Sequence, residues 1–71
     1  MKIVYDPEVD AIYFRFVKGK RQVTTQRLTE DIAVNYGRKG EVVGIEILSA
    51  SEHLDFSRRG PKIELQNLKV T

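Results

Sequence analysis

The stretch Ile32–Leu48, IAVNYGRKGEVVGIEIL, decides the fold. It reads as a β-hairpin in which apolar and polar residues go on alternating through the turn. With Arg38–Lys39 at the tip, Tyr36 faces Glu41, Val34 faces Val43 and Ile32 faces Ile45, and Ile47 continues that side. Successive side chains of a strand point to opposite faces, so Ala33, Asn35, Gly44 and Glu46 share the other face. A loop one residue longer or shorter would set Val34 against Gly44 or Val42 and mix the two sets. Gly37 and Gly40 flank the tip, where a tight hairpin calls for positive φ.

Upstream, Ile3–Tyr5 is a short apolar strand. Asp6-Pro7-Glu8-Val9-Asp10 follows as a turn, because Pro7 presets φ and the Asp6 carboxylate can accept from backbone N–H groups ahead of it. Ala11–Val17, AIYFRFV, is a second strand, with Ile12, Phe14 and Phe16 turned inward and Tyr13 and Arg15 outward. Lys18-Gly19-Lys20 turns the chain into Gln22–Leu28, a largely polar stretch rich in Val and Thr that suits a sheet edge. Thr29-Glu30-Asp31 then leads into the hairpin.

Downstream, Ser49 and Glu52 have the spacing of a capping box, which predicts a helix of about two turns over Ala50–Phe56 with Leu54 on its buried face. Gly60 and Pro61 break the chain. The tail Lys62–Thr71 alternates at Ile63/Leu65 and Leu68/Val70 and reads as extended. The expected core is Ile12, Phe14, Phe16, Ile32, Val34, Val43, Ile45, Ile47 and Leu54. A helix of two turns cannot cover a five-stranded sheet, so a partner chain is expected to finish the burial.

Composition sets the outer bounds. Seventy-one residues make one domain, and a chain of this size buries only about 60% of its unfolded surface. The absence of cysteine removes disulfides and thiolate metal sites together. Small unstapled domains often complete their cores by association. Twelve Lys/Arg against ten Asp/Glu leave a net charge of +2, well short of the footprint of a dedicated nucleic-acid binder. No apolar run approaches the ~20 residues of a membrane span, and MKIVYDPEVD reaches acid and proline too early for a signal peptide. A cytoplasmic location is the expectation.

Chemistry-bearing residues are sparse. Asp6, Glu8 and Asp10 have the opening spacing of a calcium loop, but Ala11 stands where that loop needs Gly and Val17 where it needs Glu. His53, the sole histidine, has no second His or Cys to complete a zinc site. Ser49, Ser51 and Ser57 lack the nucleophile-elbow pattern. The expectation is therefore no catalytic residue, no metal and no cofactor, and an enzyme using Asp6, Asp10, Glu46 or His53 is the alternative. Arg15 and Glu46 face outward with Tyr13 and Val42; they read either as a surface ion pair or as interface anchors. With the tail residues Ile63, Leu65 and Leu68 they make up the interface candidates. Basic residues gather at Lys18-Lys20-Arg21, Arg38-Lys39 and Arg58-Arg59-Lys62; converging, they would form a phosphate-contacting patch and a weak nucleic-acid binder.

The opening YDPEVDAIYFRF (Tyr5–Phe16), the polar third strand, Ile32–Tyr36, then GEVVGIEIL (Gly40–Leu48) and the SAS helix start at Ser49–Ser51 resemble the small prokaryotic family known as domain of unknown function 2283. The resemblance covers roughly Met1–Leu54. It implies no catalytic activity. Because some similar proteins are encoded beside small toxin-like proteins, it implies an antitoxin-like or binding role.

The sequence thus predicts an α+β domain: an antiparallel β-meander of about five strands, one short helix and a C-terminal arm, with residues 1–56 as core and 57–71 as arm. Its expected function is that of a non-catalytic protein-interaction module. The expected partner is a second copy, forming a dimer, or a small protein; neither nucleic acid nor membrane is the favoured one.

Overall fold

A computed structural model describes residues 1–57 and 60–61. The tail positions Ile63, Leu65 and Leu68 therefore lie outside the described residues. Five antiparallel strands form one sheet: β1 (Lys2–Asp6), β2 (Ala11–Arg15), β3 (Thr24–Arg27), β4 (Ile32–Tyr36) and β5 (Val42–Ile47). A one-turn helix, α1 (Ala50–His53), follows, and then a two-residue ladder of β6 (Phe56–Ser57) with β7 (Gly60–Pro61).

The antiparallel sheet and short helix are those the sequence predicts. One joint of the meander needs correction, because the strand order is β1-β2-β5-β4-β3. The chain leaves β2 and crosses to the far edge, so β2 pairs with β5 and not with β3. The apolar alternation of β2 explains this: Ile12 and Phe14 sit opposite Ile47 and Ile45 of β5, where cross-strand apolar pairs stabilise the ladder. By contrast β3, TTQR, is exposed throughout. It lies at the edge, where its outer backbone groups can be hydrated.

The hairpin register also differs from expectation. Val34 pairs with Ile45 and Ile32 with Ile47, two residues along from the predicted partners, and Tyr36 pairs with Val42 across a bulge that leaves Val43 over. The connection runs Gly37–Glu41 and is closed by Gly37 N–H donating to Glu41 O at 2.8 Å, so it is longer than a two-residue turn. A shift of two preserves both faces. Hence Ile32, Val34, Ile45 and Ile47 still share the inner face with Ile12 and Phe14, and Ala33, Asn35, Gly44 and Glu46 share the outer one. At the tip only Gly40 takes a positive φ, 82°. At Gly37 the missing side chain makes room: a Cβ there would collide with the Glu41 carboxylate.

Burial is shallower than predicted. Ile12, Val34, Val43 and Ala50 are buried, and so is Ala33 on the outer face. Phe14, Ile32, Ile45, Ile47 and Leu54 are only partly covered. Phe16 departs furthest, at 43% exposed: its N–H still donates to Val43 O at 2.8 Å, but it lies one residue past the end of β2, at the rim of the sheet.

Helix α1 spans four residues where two turns are expected, and Phe56 has already entered β6. The predicted capping box does not form. Ser49 sits in the left-handed region at φ 50° and makes no side-chain cap bond; the cap comes instead from Asp10, far away in sequence.

Candidate functional site

Three groupings of polar side chains emerge from this framework. The first paves the outer face. Tyr13 on β2 extends over Gly44 of β5 so that its hydroxyl accepts from Asn35 Nδ2 on β4 at 2.9 Å. Asn35 Oδ1 in turn accepts from the Thr25 hydroxyl on edge strand β3 at 2.6 Å. The relay ties four strands together, and it needs glycine at position 44, where any Cβ would overlap the phenol. One rung along, Arg27 reaches Glu46 at 3.9 Å across Ala33, which lies between them in the register and is thereby buried. Small residues beneath long ones make this face flat and internally hydrogen-bonded.

The interface candidates Tyr13, Arg15, Val42 and Glu46 thus have specific places. Tyr13 and Glu46 are register partners. Glu46 pairs with Arg27 and not with Arg15, whose guanidinium turns to the backbone oxygens of Val17 and Gly19. Val42 is 40% exposed, and Val4, the register partner of Tyr13, is 47% exposed. Asn35, Thr25, Arg27 and the spacing role of Gly44 are what sequence reasoning missed. Only the glycine inside a strand could have signalled a close approach of this kind.

The second grouping surrounds Asp10. Its carboxylate accepts from the Tyr5 hydroxyl at 2.8 Å, the Ser51 hydroxyl at 2.6 Å and the Ser51 N–H at 3.2 Å, while its carbonyl accepts from Ala50 N–H at 2.8 Å. Asp10 takes φ 53°, a conformation Asp tolerates better than most residues. The Ser51 hydroxyl, and next the Tyr5 phenol, hold the Asp10 carboxyl below its ordinary pKa. The same hydrogen bond raises the Tyr5 phenol. Nearby along α1, His53 Nε2 lies 2.9 Å from Asp31 Oδ2. Asp6 accepts from Glu8 N–H at 3.0 Å in the β1–β2 turn. Asp6, Asp10, Glu46 and His53, the residues of the enzyme alternative, are thus engaged separately, with no partner in common. Among the described residues no group of three or more His, Cys, Asp or Glu is placed to hold a metal ion.

The third grouping is a segregation of charge between the two ends of the sheet, which the strand directions impose. One end gathers Lys2, the β2–β3 connection with Lys18, Lys20 and Arg21, and the hairpin tip with Arg38 and Lys39. Its carboxylate, Glu41, accepts from Lys39 N–H at 2.9 Å and lies 3.8 Å from Arg21. The N–H groups of Glu41 itself and of Lys39 keep the Glu41 carboxyl below its ordinary pKa. At the other end stand Asp6, Glu8 and Asp10 in one turn, Glu30 and Asp31 in another, and Glu52 and Asp55 around the helix. Two of the three basic runs in the sequence therefore converge. The third, with Arg58, Arg59 and Lys62, lies outside the described residues.

These features fall in a segment with known relatives. Residues 2–51 match the family described as protein of unknown function DUF2283. The chain belongs to this family. Comparison with curated proteins and with solved structures gives no match. The DUF2283 match takes in the whole outer-face relay, the Asp10 cluster as far as Ser51 and both basic loops. No helix among the described residues is long and apolar enough to cross a membrane.

Proposed function

We propose that this DUF2283 domain is a non-catalytic interaction module that associates with a second copy of itself through the inner face of its sheet. One observation carries the reading: Phe14, Ile32, Ile45 and Ile47 lie side by side on that face, and all four remain only partly covered. A four-residue helix shields too little of five strands. Flat aliphatic sheet faces pack on one another about 10 Å apart at a small crossing angle. A second copy presents the same patch, which gives a closed, isologous contact.

A second reading uses the opposite face, where Val4 and Val42 stay exposed around Tyr13. In that arrangement Tyr13, Arg15, Val42 and Glu46 contact a small protein partner, which is also the form an antitoxin-like role would take. Sedimentation of the full chain from about 1 to about 500 µM tests the first reading, since association with a second copy is concentration-dependent. A dimer that persists when Val4 and Val42 are replaced by Lys supports it. A monomer at every concentration overturns it, and a dimer abolished by the Val42→Lys change transfers the interface to the outer face.

A further inference from the structure

The basic end of the sheet carries an inference separate from either face. Two open hollows meet there. One, of about 470 Å³, is lined by Lys2, Phe16, Val17, Lys18 and Lys20; the other, of about 380 Å³, by Lys20, Arg21, Arg38 and Lys39 together with Glu41. Lys20 lines both, so the two hollows adjoin there and together make a basic track. It crosses from β1 to the tip after β4, three inter-strand steps or about 14 Å.

The track is built by the fold. Arg15 holds the β2–β3 connection by donating to Val17 O at 2.8 Å and to Gly19 O. Glu41 joins that connection to the hairpin tip through Arg21 and Lys39 N–H. The lone carboxylate of the track is thus occupied in tying the loops. Among the described residues, the side chains of Lys2, Lys18, Lys20, Arg38 and Lys39 make no ion pair. Phe16, 43% exposed, lines the first hollow beside Lys2, Lys18 and Lys20.

We propose that this end of the sheet binds single-stranded nucleic acid, with Phe16 as the platform for a base and Lys18, Lys20, Arg38 and Lys39 contacting phosphates. An aromatic face beside a cationic groove is the combination that single strands require, because every base has a π-face and every linkage a negative charge. A duplex reader would need an element to enter a groove, and the four-residue α1 stands at the opposite, acidic end. Acidic groups at that far end repel a strand and orient the domain with its basic end forward.

Fluorescence anisotropy of the full chain with a labelled oligothymidine of about a dozen nucleotides tests this, with inorganic polyphosphate as competitor. Contact with three or four phosphates predicts a slope of log K against log salt of about −2 to −3. Paired Lys20→Glu and Arg38→Glu changes should weaken binding about tenfold or more. Phe16→Leu should weaken the oligonucleotide about tenfold and leave polyphosphate unchanged. Arg27→Glu, a charge reversal at the opposite end of the sheet, controls for attraction outside the track. Three results overturn the proposal: loss of binding in that control alone, Phe16→Leu without effect on the oligonucleotide, or no oligonucleotide binding at low salt. If, in the last case, salt dissolves a self-associated form that the Lys20/Arg38 changes also abolish, the occupant is the acidic end of a second copy.

Discussion

The Tyr13 phenol rests over the backbone of Gly44 and reaches Asn35 beyond it, so a side chain on one strand is hydrogen-bonded two strands away. Gly44→Ala drives a methyl into that ring and also towards Phe14 O, a backbone atom that cannot swing aside. The expected cost is about 1–3 kcal/mol, as for overpacking elsewhere. Tyr13→Ala removes one of the two collisions. Urea unfolding of the single and double variants should therefore show a coupling of about 1 kcal/mol, the alanine at 44 being less harmful once the ring is gone. Strict additivity would place the phenol elsewhere.

Asp10 gives the domain a dependence on pH with opposite signs at the two extremes. Its carboxyl and that of Glu41 are held below their ordinary values. Each therefore contributes stability that is full above the unfolded carboxylate range near about 4 and is lost as pH falls through the lower, folded value. Tyr5 is raised, so its contribution is full below about 10 and disappears as pH climbs through the folded value. Thermal midpoints should fall on both limbs. Asp10→Asn should flatten the acid limb and Tyr5→Phe the alkaline one, each with a lower midpoint at neutral pH. An unchanged acid limb in Asp10→Asn would assign acid sensitivity to other carboxylates.

Side-chain size and burial rank in opposite orders at two inward positions of β2 and its extension. Ile12 is 1% exposed and Phe16 is 43% exposed. Ile12→Ala should cost about 2–5 kcal/mol and unfold much of the population of so small a domain. Phe16→Ala, although it deletes more atoms, should cost only about 1 kcal/mol, because its ring already meets water. Equilibrium denaturation compares them directly, and a larger loss at Phe16 would mean that the rim is closed in solution.

That contrast also marks what the sequence could and could not disclose. Alternation within Ala11–Phe16 and Ile32–Ile47 identified the strands and sorted their faces, because period two is written into the residues themselves. Parity does not say where a ladder stops, so it alone places Phe16 inward. A register shift of two leaves parity intact, which is why the hairpin faces survived a wrong pairing. Strand order depends on which edges match, and no local pattern placed β5 beside β2. The helix cap eluded a local search for the same reason: Asp10 and Ser51 are distant in sequence, and Ser49 with Glu52 offered a nearer candidate. Among functional features, the basic runs were visible as runs. Their convergence depends on strand direction, and so does the separation of acidic from basic ends.

The two glycines of the hairpin loop should respond differently to the same substitution, since they are glycine for different reasons. Gly40 has open space around it but a φ of 82°, so Gly40→Ala should cost about 1 kcal/mol through left-handed backbone strain alone. Gly37 has an ordinary φ, and the nearest atoms a methyl there would meet are those at the flexible end of Glu41. The Gly37→Ala protein should keep most of its stability while the Glu41 side chain is displaced from Lys39 N–H and Arg21. With the carboxylate moved away from its own N–H as well as from those partners, it should rise back towards its ordinary pKa, which an NMR titration of its side-chain carbon reads directly. Gly40→Ala should leave that titration nearly unchanged. If instead both variants lost stability equally and neither moved the Glu41 titration, the carboxylate would not be the tie between the two basic loops.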